Sequence, residues 1–316
     1  MPLSDLAVDD QLRAAVDDAV ASGWWSMGPR VAELEQQFAA FCGVRHAIAV
    51  SSGTAAIHLS LLALGCGPGD EVIVPSLTFV AAANMVLAVG ATPVFCDITD
   101  EHDLNLSVDD VRRRITPSSK ALLLVHYGGH PCDMDGVMQL AAEHGLHVIE
   151  DAAHAPGARW KGRACGSIGA LGCFSFFSNK NLPVGEGGMV VCDDDALAER
   201  VRLARSHGMT TLTWDRHRGH ASGYDVLTHG YNYRLDELRA AIGIVQLARL
   251  PDGNAMRARH AEHYRRALAK IDGLTVPFAR DGLDASADDG CVSAHHLQVV
   301  LLPSGTDRDA IRADLA

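Results

Sequence analysis

Seven short apolar runs, set between helical patterns, constrain this chain more than any other feature of its sequence. They lie at 47–50, 71–75, 92–97, 121–126, 147–151, 173–177 and 188–192. Helix-period stretches at 55–64, 80–89, 108–115 and 134–144 separate most of them. Strands that read as continuous apolar runs are buried on both faces, and parallel strands need a helical crossover to return. The pattern predicts an α/β fold whose sheet has seven strands, mostly parallel and flanked by helices. Only a loop joins the last two runs, so an antiparallel, mixed element is expected there. Helices at 4–22 and 29–42 precede the first strand, and the loop between them carries Trp24 and Trp25. A hydrophobic anchor is the simpler reading of these indoles; a substrate-facing loop is the other.

Beyond residue 192 the character changes. A helix is expected at 194–207, an aperiodic polar stretch at 208–233, and a helix at 234–250 ended by Pro251-Asp-Gly253. A helix at 256–271, strands at 274–278 and 296–302, and an acidic loop at 281–290 follow. This divides the chain into an N-terminal segment with a large domain, 1–250, and a small α+β domain, 251–316. Two strands make a marginal sheet, and the helix from 307 has no closing signal. The small domain therefore reads as incomplete, as in a C-terminally shortened chain.

The formal net charge of -12 argues against a nucleic-acid partner. Arg112-Arg113-Arg114 reads as a solvated helix face. Met1-Pro-Leu-Ser-Asp-Leu6 lacks the basic start of a signal peptide, and no apolar run approaches the ~20 residues of a membrane span. The eight cysteines are scattered without a Cys-x-x-Cys pair, which reads as reduced thiols in the cytoplasm. His126, His130, Cys132, His144 and His147 match no zinc spacing, and no metal is expected.

Ligands of such sheets gather at the carboxyl ends of the strands. There an aromatic run, 173–177, delivers Lys180 to a loop broken by Pro183, Gly185, Gly187 and Gly188. Alone it reads as a solvated lysine, but in apolar surroundings an amine loses hydration and becomes a nucleophile for a carbonyl. Ser51-Ser-Gly-Thr54 follows a strand and opens a helix. It is either a plain N-cap or an anion cradle in which Gly53 admits a ligand to the backbone. Glu150-Asp151-Ala-Ala-His154 ends a buried strand, where a carboxylate needs a cationic partner. Ser175 stands near the same rim and can donate to a phosphate. Glu186-Gly-Gly188 reads better as a turn than as a phosphate nest. Lysine, carboxylate and anion cradle together point to pyridoxal 5'-phosphate, which needs an amine for its aldehyde, an anion beside its ring nitrogen and a phosphate site.

These stretches belong to a longer series. Ser51-Ser-Gly-Thr54, Pro75-Ser-Leu-Thr-Phe-Val80, Gly90-Ala-Thr-Pro-Val-Phe95, Glu150-Asp-Ala-Ala-His154, Phe174-Ser-Phe-Phe-Ser-Asn-Lys-Asn-Leu182, Gly185-Glu-Gly-Gly188 and Gly230-Tyr-Asn-Tyr-Arg-Leu-Asp-Glu237 occur in order. Over about residues 20–250 the series resembles the DegT/DnrJ/EryC1/StrS sugar aminotransferases, which have PLP fold-type I.

The resemblance implies that Lys180 is the lysine carrying the cofactor and Asp151 the partner of its ring nitrogen. It implies phosphate contacts from Gly53, Thr54 and Ser175, stacking by Phe79, and His154 beside the ring hydroxyl. Asn232 would reach the phosphate of a neighbouring subunit, hence a homodimer with shared sites. Many relatives have Gln where this chain has His154, and His accompanies amination at sugar C4. The implied reaction is amino transfer from a donor such as glutamate to a nucleotide-linked ketosugar, for the amino sugar of a surface polysaccharide or natural product. A sugar dehydratase of the same family, whose members lack the lysine, and a non-catalytic regulatory protein of this fold are the alternatives.

Overall fold

The structure is a computed structural model that describes residues 6, 8–211, 214, 223–278 and 290–315. Helix α1 (Asp10–Ala21) starts where Asp9 Oδ1 accepts the Leu12 N–H at 3.0 Å; part of its expected beginning lies outside the described residues. Helix α2 (Pro29–Cys42) opens on a proline and closes at Gly43, whose φ of 71° suits a left-handed cap.

All seven expected strands form one sheet, lengthened or shifted by one or two residues at some ends. They are β1 (His46–Val50), β2 (Glu71–Pro75), β3 (Thr92–Cys96), β4 (Ser119–Val125), β5 (His147–Asp151), β8 (Leu171–Ser175) and β9 (Gly188–Cys192). The order across the sheet is β1-β9-β8-β5-β4-β2-β3. Only β9 runs against its neighbours β8 and β1, as the loop-only connection requires. A two-residue hairpin, β6 (Arg159–Trp160) and β7 (Arg163–Ala164), was not legible as a separate sheet. It turns through Lys161 and Gly162 at φ 48° and 82°.

Alternate strand residues enter opposite layers, as the two-residue period demands. Val72, Val74, Leu123, Val125 and Ile149 meet α3 (Gly53–Ala63), α4 (Ala81–Ala88) and α7 (Asp195–Arg205) on one face. On the other face, Ile73, Leu122, Leu124 and Val148 meet α5 (Val108–Arg114) and α6 (Met134–His144). Further along that face, Ala47, Phe174 and Met189 meet α2 and the long helix Glu237–Leu268. The crossovers after β2 and β4 thus lie on opposite faces, and the carboxyl ends of these strands flank a crevice.

Pro251 does not stop a helix as expected. The two helices expected at 234–250 and 256–271 are one, Glu237–Leu268, with Pro251 inside it. Proline removes the bond to the Leu247 carbonyl, a local cost of about 3 kcal/mol. Packing before that point offsets it, since every fully buried residue of this helix lies between Glu237 and Leu250. The two strands expected near 276 and 299 reduce to a single antiparallel bridge, Thr275 with Leu301. Pro277 has no N–H for a ladder, and Phe278 turns away at φ 61°. The acidic loop at 281–290 lies, but for Gly290, outside the described residues. A final helix, Arg308–Leu315, has no buried residue.

Glu237 locks the two N-terminal helices to this frame. Its buried carboxylate accepts the Arg30 and Val31 N–H groups, both at 2.9 Å, at the otherwise open first turn of α2. Glu237→Ala is expected to destabilise the fold by roughly 3 kcal/mol, because two buried N–H groups lose a charged acceptor; urea denaturation of both proteins measures this.

Candidate active site

The crevice holds a cavity of about 620 Å³ lined from five strand ends and by the segment 296–297. Ser52, Gly53 and Thr54 come after β1, Leu77, Thr78 and Phe79 after β2, and Tyr127 after β4. Asp151, Ala153 and His154 come from β5, while Ser175, Asn179 and Lys180 come from β8 and its loop. Seven of the eight expected site residues therefore converge. Asn232 is the exception: it is exposed, its backbone bridges to Ser206, and it does not line this cavity.

The turn after β1 is both cap and cradle. Ser52 Oγ accepts the Ala55 N–H at 3.0 Å, which leaves the N–H groups of Gly53 and Thr54 without an acceptor among the described residues. A β-carbon on Gly53 would lie 2.8 Å from Ser175 Cβ, so only glycine lets the helix start come this near Ser175. Two N–H groups, a helix start and a hydroxyl make a site for an anion.

Glu150 and Asp151, adjacent in β5, point to opposite faces. Glu150 is fully buried and accepts from His126 Nε2 at 2.9 Å, Gly166 N–H at 2.7 Å, and the Ile168 and Gly169 N–H groups at 2.6 Å. Cys132 N–H donates to His126 Nδ1 at 3.1 Å, so the proton shared with Glu150 is on Nε2, and the contact is a charge-assisted hydrogen bond to the carboxylate. Burial acts to raise the Glu150 carboxyl, but these donors outweigh it and hold it below its usual range. Sequence reasoning named Glu150 without finding this network, whose donors lie 16 to 24 residues away.

The Asp151 carboxylate accepts one hydrogen bond among the described residues, from Ala153 N–H at 3.0 Å. Burial pushes its carboxyl up, against the opposing pull of that N–H, Lys180 and His126. Burial likewise pushes the Lys180 amine down, Asp151 opposing, and its Nζ has no hydrogen-bond partner among the described residues. Thr78 Oγ1, His154 Nδ1 and Asn179 Oδ1 are buried and unpartnered on the same walls. Phe79 stands 71% exposed at the rim. An anion cradle, an acid lacking its cation, an amine lacking its partner, three unpaired polar atoms and an open aromatic face fit pyridoxal phosphate.

A second chamber of about 640 Å³ shares Asn179, Lys180 and His296 with the first. Arg249, Arg257 and Arg259 line it, with Asp252 as its acid. Arg249 pairs with Asp9 at 2.7 Å. Arg257 is half-buried, has no ion pair among the described residues, and is shifted down by burial. Sequence reasoning missed Tyr127, Thr78, Arg257 and His296. For the last two no local signal exists, since their place depends on how the long helix and the segment after 290 cross the lysine loop.

The model of the DegT/DnrJ/EryC1/StrS aminotransferase family matches residues 7–316. The chain belongs to that family. It is 46% identical over 267 residues to the spore coat polysaccharide biosynthesis protein SpsC of Bacillus subtilis (strain 168), covering 84% of this chain and 68% of SpsC. Among solved structures, DesV of S. venezuelae, in complex with a ketimine intermediate, is 40% identical with a TM-score of 0.86, covering 96% of this chain and 76% of its own. The aminotransferase TlmJ of Streptoalloteichus hindustanus is 37% identical with a TM-score of 0.90, covering all of this chain and 82% of its own. The family's members are sugar aminotransferases, PLP-dependent enzymes of fold-type I, and the mixed seven-stranded sheet is theirs.

Three imidazoles, His130 buried and His154 and His296 half-buried, contribute to the acid response. Burial first, then neighbouring positive groups, push His130 and His154 down to about 3 and His296 to about 2. The unfolded chain takes up protons near its ordinary value of ~6.5 while the folded rings stay neutral. The stability these rings confer is thus complete above pH ~6.5 and lost as pH falls from there toward 3. Unfolding free energies measured between pH 7 and 4.5 should fall steadily. His130→Phe, which fills the same stacked place against Phe278 (4.1 Å between ring centroids), should flatten the slope.

Proposed function

We propose that this enzyme transfers an amino group from a donor such as glutamate to a nucleotide-linked ketosugar, at C4, with pyridoxal phosphate held in the first cavity. The observation that carries the reading is the desolvated, unpartnered Lys180 amine standing between two chambers. One offers Asp151 and the cradle of Gly53, Thr54 and Ser175. The other carries three guanidinium groups in a chain of net charge -12. A positive chamber in an acidic protein concentrates anionic substrates, and glutamate and a nucleoside diphosphate sugar are both such anions.

When bound, pyridoxal phosphate supplies a reactive aldehyde and a ring that withdraws electrons from the substrate's α-carbon. Asp151 would hold a proton on the ring nitrogen as a carboxylate, the ring cation offsetting the burial that otherwise pushes its carboxyl up. Phe79 would cover one ring face and His154 would stand by the ring hydroxyl. The Lys180 amine would take the proton from the donor's α-carbon, and later return one to the carbon that was the sugar's ketone. Its low proton affinity suits it to both tasks. His154 in place of Gln supports C4 over C3. The product is an amino sugar for a surface polysaccharide or natural product, made in the cytoplasm. The presence of Lys180 speaks against the dehydratase alternative.

Asn232 is proposed to complete the phosphate site of a second copy, in a homodimer. Its exposure, away from its own chain's cavity, leaves it available for that role.

Incubation with glutamate and a panel of nucleoside diphosphate ketosugars, read by mass spectrometry, tests the reaction; cofactor binding without bleaching by any donor would favour a non-catalytic protein. Lys180→Ala should cut amination by about 10³-fold or more while leaving the urea transition in place, and full activity in this variant would end the proposal. Asp151→Ala should be the next most damaging change. Mixed Lys180→Ala and Asn232→Ala subunits, shown to exchange, should regain part of the activity that each lacks alone; no recovery would count against shared sites.

A further inference from the structure

His296 occupies the wall common to both chambers, and its proton is fixed by a chain of side-chain amides. Asn254 Nδ2 donates to the Pro156 carbonyl at 2.8 Å, which turns Asn254 Oδ1 toward Asn181. Asn181 Nδ2 donates to that Oδ1 at 2.9 Å and to the Ala294 carbonyl at 2.8 Å. Backbone carbonyls can only accept, so both amide orientations are forced, and Asn181 Oδ1 faces His296 Nδ1 at 2.9 Å as an acceptor. His296 must donate from Nδ1. Burial, with His154, Lys180 and Arg257 near it, keeps the ring from taking a second proton.

Nε2 is therefore a bare lone pair. It has no partner among the described residues and is not sealed in the interior. The ring itself cannot swing freely. It stacks on His154 at 4.5 Å between centroids, and the backbone N–H of His296 donates to the Gly128 carbonyl at 2.9 Å. That backbone approach depends on Gly129: at φ 93°, a β-carbon there would lie 2.8 Å from the His154 carbonyl and 3.0 Å from His296 N.

We propose that His296 is a specificity-determining residue whose Nε2 accepts a hydrogen bond from a hydroxyl of the sugar substrate and so orients the sugar beside Lys180. The reading rests on the sugar aminotransferase function above. A neutral lone pair attracts hydroxyl and ammonium donors but repels carboxylate and phosphate oxygens. It therefore favours the sugar ring over the carboxylates of the amino donor. The arrangement assigns different groups to different substrate parts: guanidinium groups such as Arg257 to anions, His296 to a hydroxyl.

Two substitutions separate this role from a structural one. Asn in place of His296 keeps a group at the Nδ1 position for Asn181 but lacks the reach of Nε2. Gln places an amide oxygen near Nε2 and gives up the Asn181 bond. The donor half-reaction is followed by bleaching with glutamate. The acceptor half-reaction is followed with the aminated enzyme and a nucleoside diphosphate 4-keto-6-deoxyhexose. His296→Asn is expected to lose about tenfold in kcat/KM for the sugar half-reaction, the scale of one lost hydrogen bond, with the donor half-reaction within about twofold. His296→Gln should recover most of the loss. In wild-type protein without substrate, ¹⁵N–¹H imidazole correlations should show the Nδ1–H tautomer. An Nε2–H tautomer, equal losses in both half-reactions, or better activity in Asn than in Gln would each overturn the proposal. Wild-type enzyme that bleaches with glutamate yet aminates no sugar would remove the sugar reading itself, and His296's role with it, even with the tautomer signal intact.

Discussion

The site depends on one buried carboxylate. Glu150 sits in β5, between β4 and β8, and accepts four hydrogen bonds with no exposure to water. Its donors are the end of β4, through His126, and the turn at 166–169 that leads into β8. The ends of β4 and β5 and the start of β8 are thereby tied together, and from these strands come Tyr127, Asp151, Ser175 and the lysine loop. An ionised group in such a place is tolerated only when its lone pairs are satisfied, so removing one of its donors would be costly. The price of that burial is a rigid rim.

On the opposite face of the same strand the balance is reversed. Among the described residues the Asp151 carboxylate has a single N–H donor and Lys180 Nζ no hydrogen bond, and burial pushes each toward its neutral form. Thr78, His154 and Asn179 add unpartnered polar atoms. Groups of this kind weigh against the stability of the empty protein, and a ligand that pairs with them restores it through binding. Stability and function are thus separated by strand alternation. Glu150 faces the side packed into the core, and Asp151 the side that opens on the cavity.

The segment after residue 290 belongs to this rim. Ala294, His296 and Leu297 donate backbone N–H groups to Gly129 and Gly128, in the turn that follows β4. Asn181, one residue beyond Lys180, binds the same segment and the long helix at once through Ala294, His296 and Asn254. These contacts tie the lysine loop to the C-terminal part of the chain. They also explain why Asn181 is buried although it lies in a loop.

Strand periodicity and turn residues determined the seven strands, their mixed direction and the residues at their carboxyl ends. These are local properties: a continuous apolar run must be covered on both faces, and a loop too short for a crossover must reverse the chain. Lys180, Asp151 and the Ser51–Thr54 turn were legible for the same reason, since each is a costly or capping residue placed at a strand end. Tertiary structure alone decided the rest. Pro251 looked like a stop, yet burial up to Leu250 carries the helix through it. The strand expected at 296–302 is instead an irregular segment pinned to Gly128 and Gly129. His296 and Arg257 gained their places beside Lys180 from contacts 77 to 116 residues away in sequence. No local pattern encodes such a meeting, because it depends on which faces of distant elements pack together.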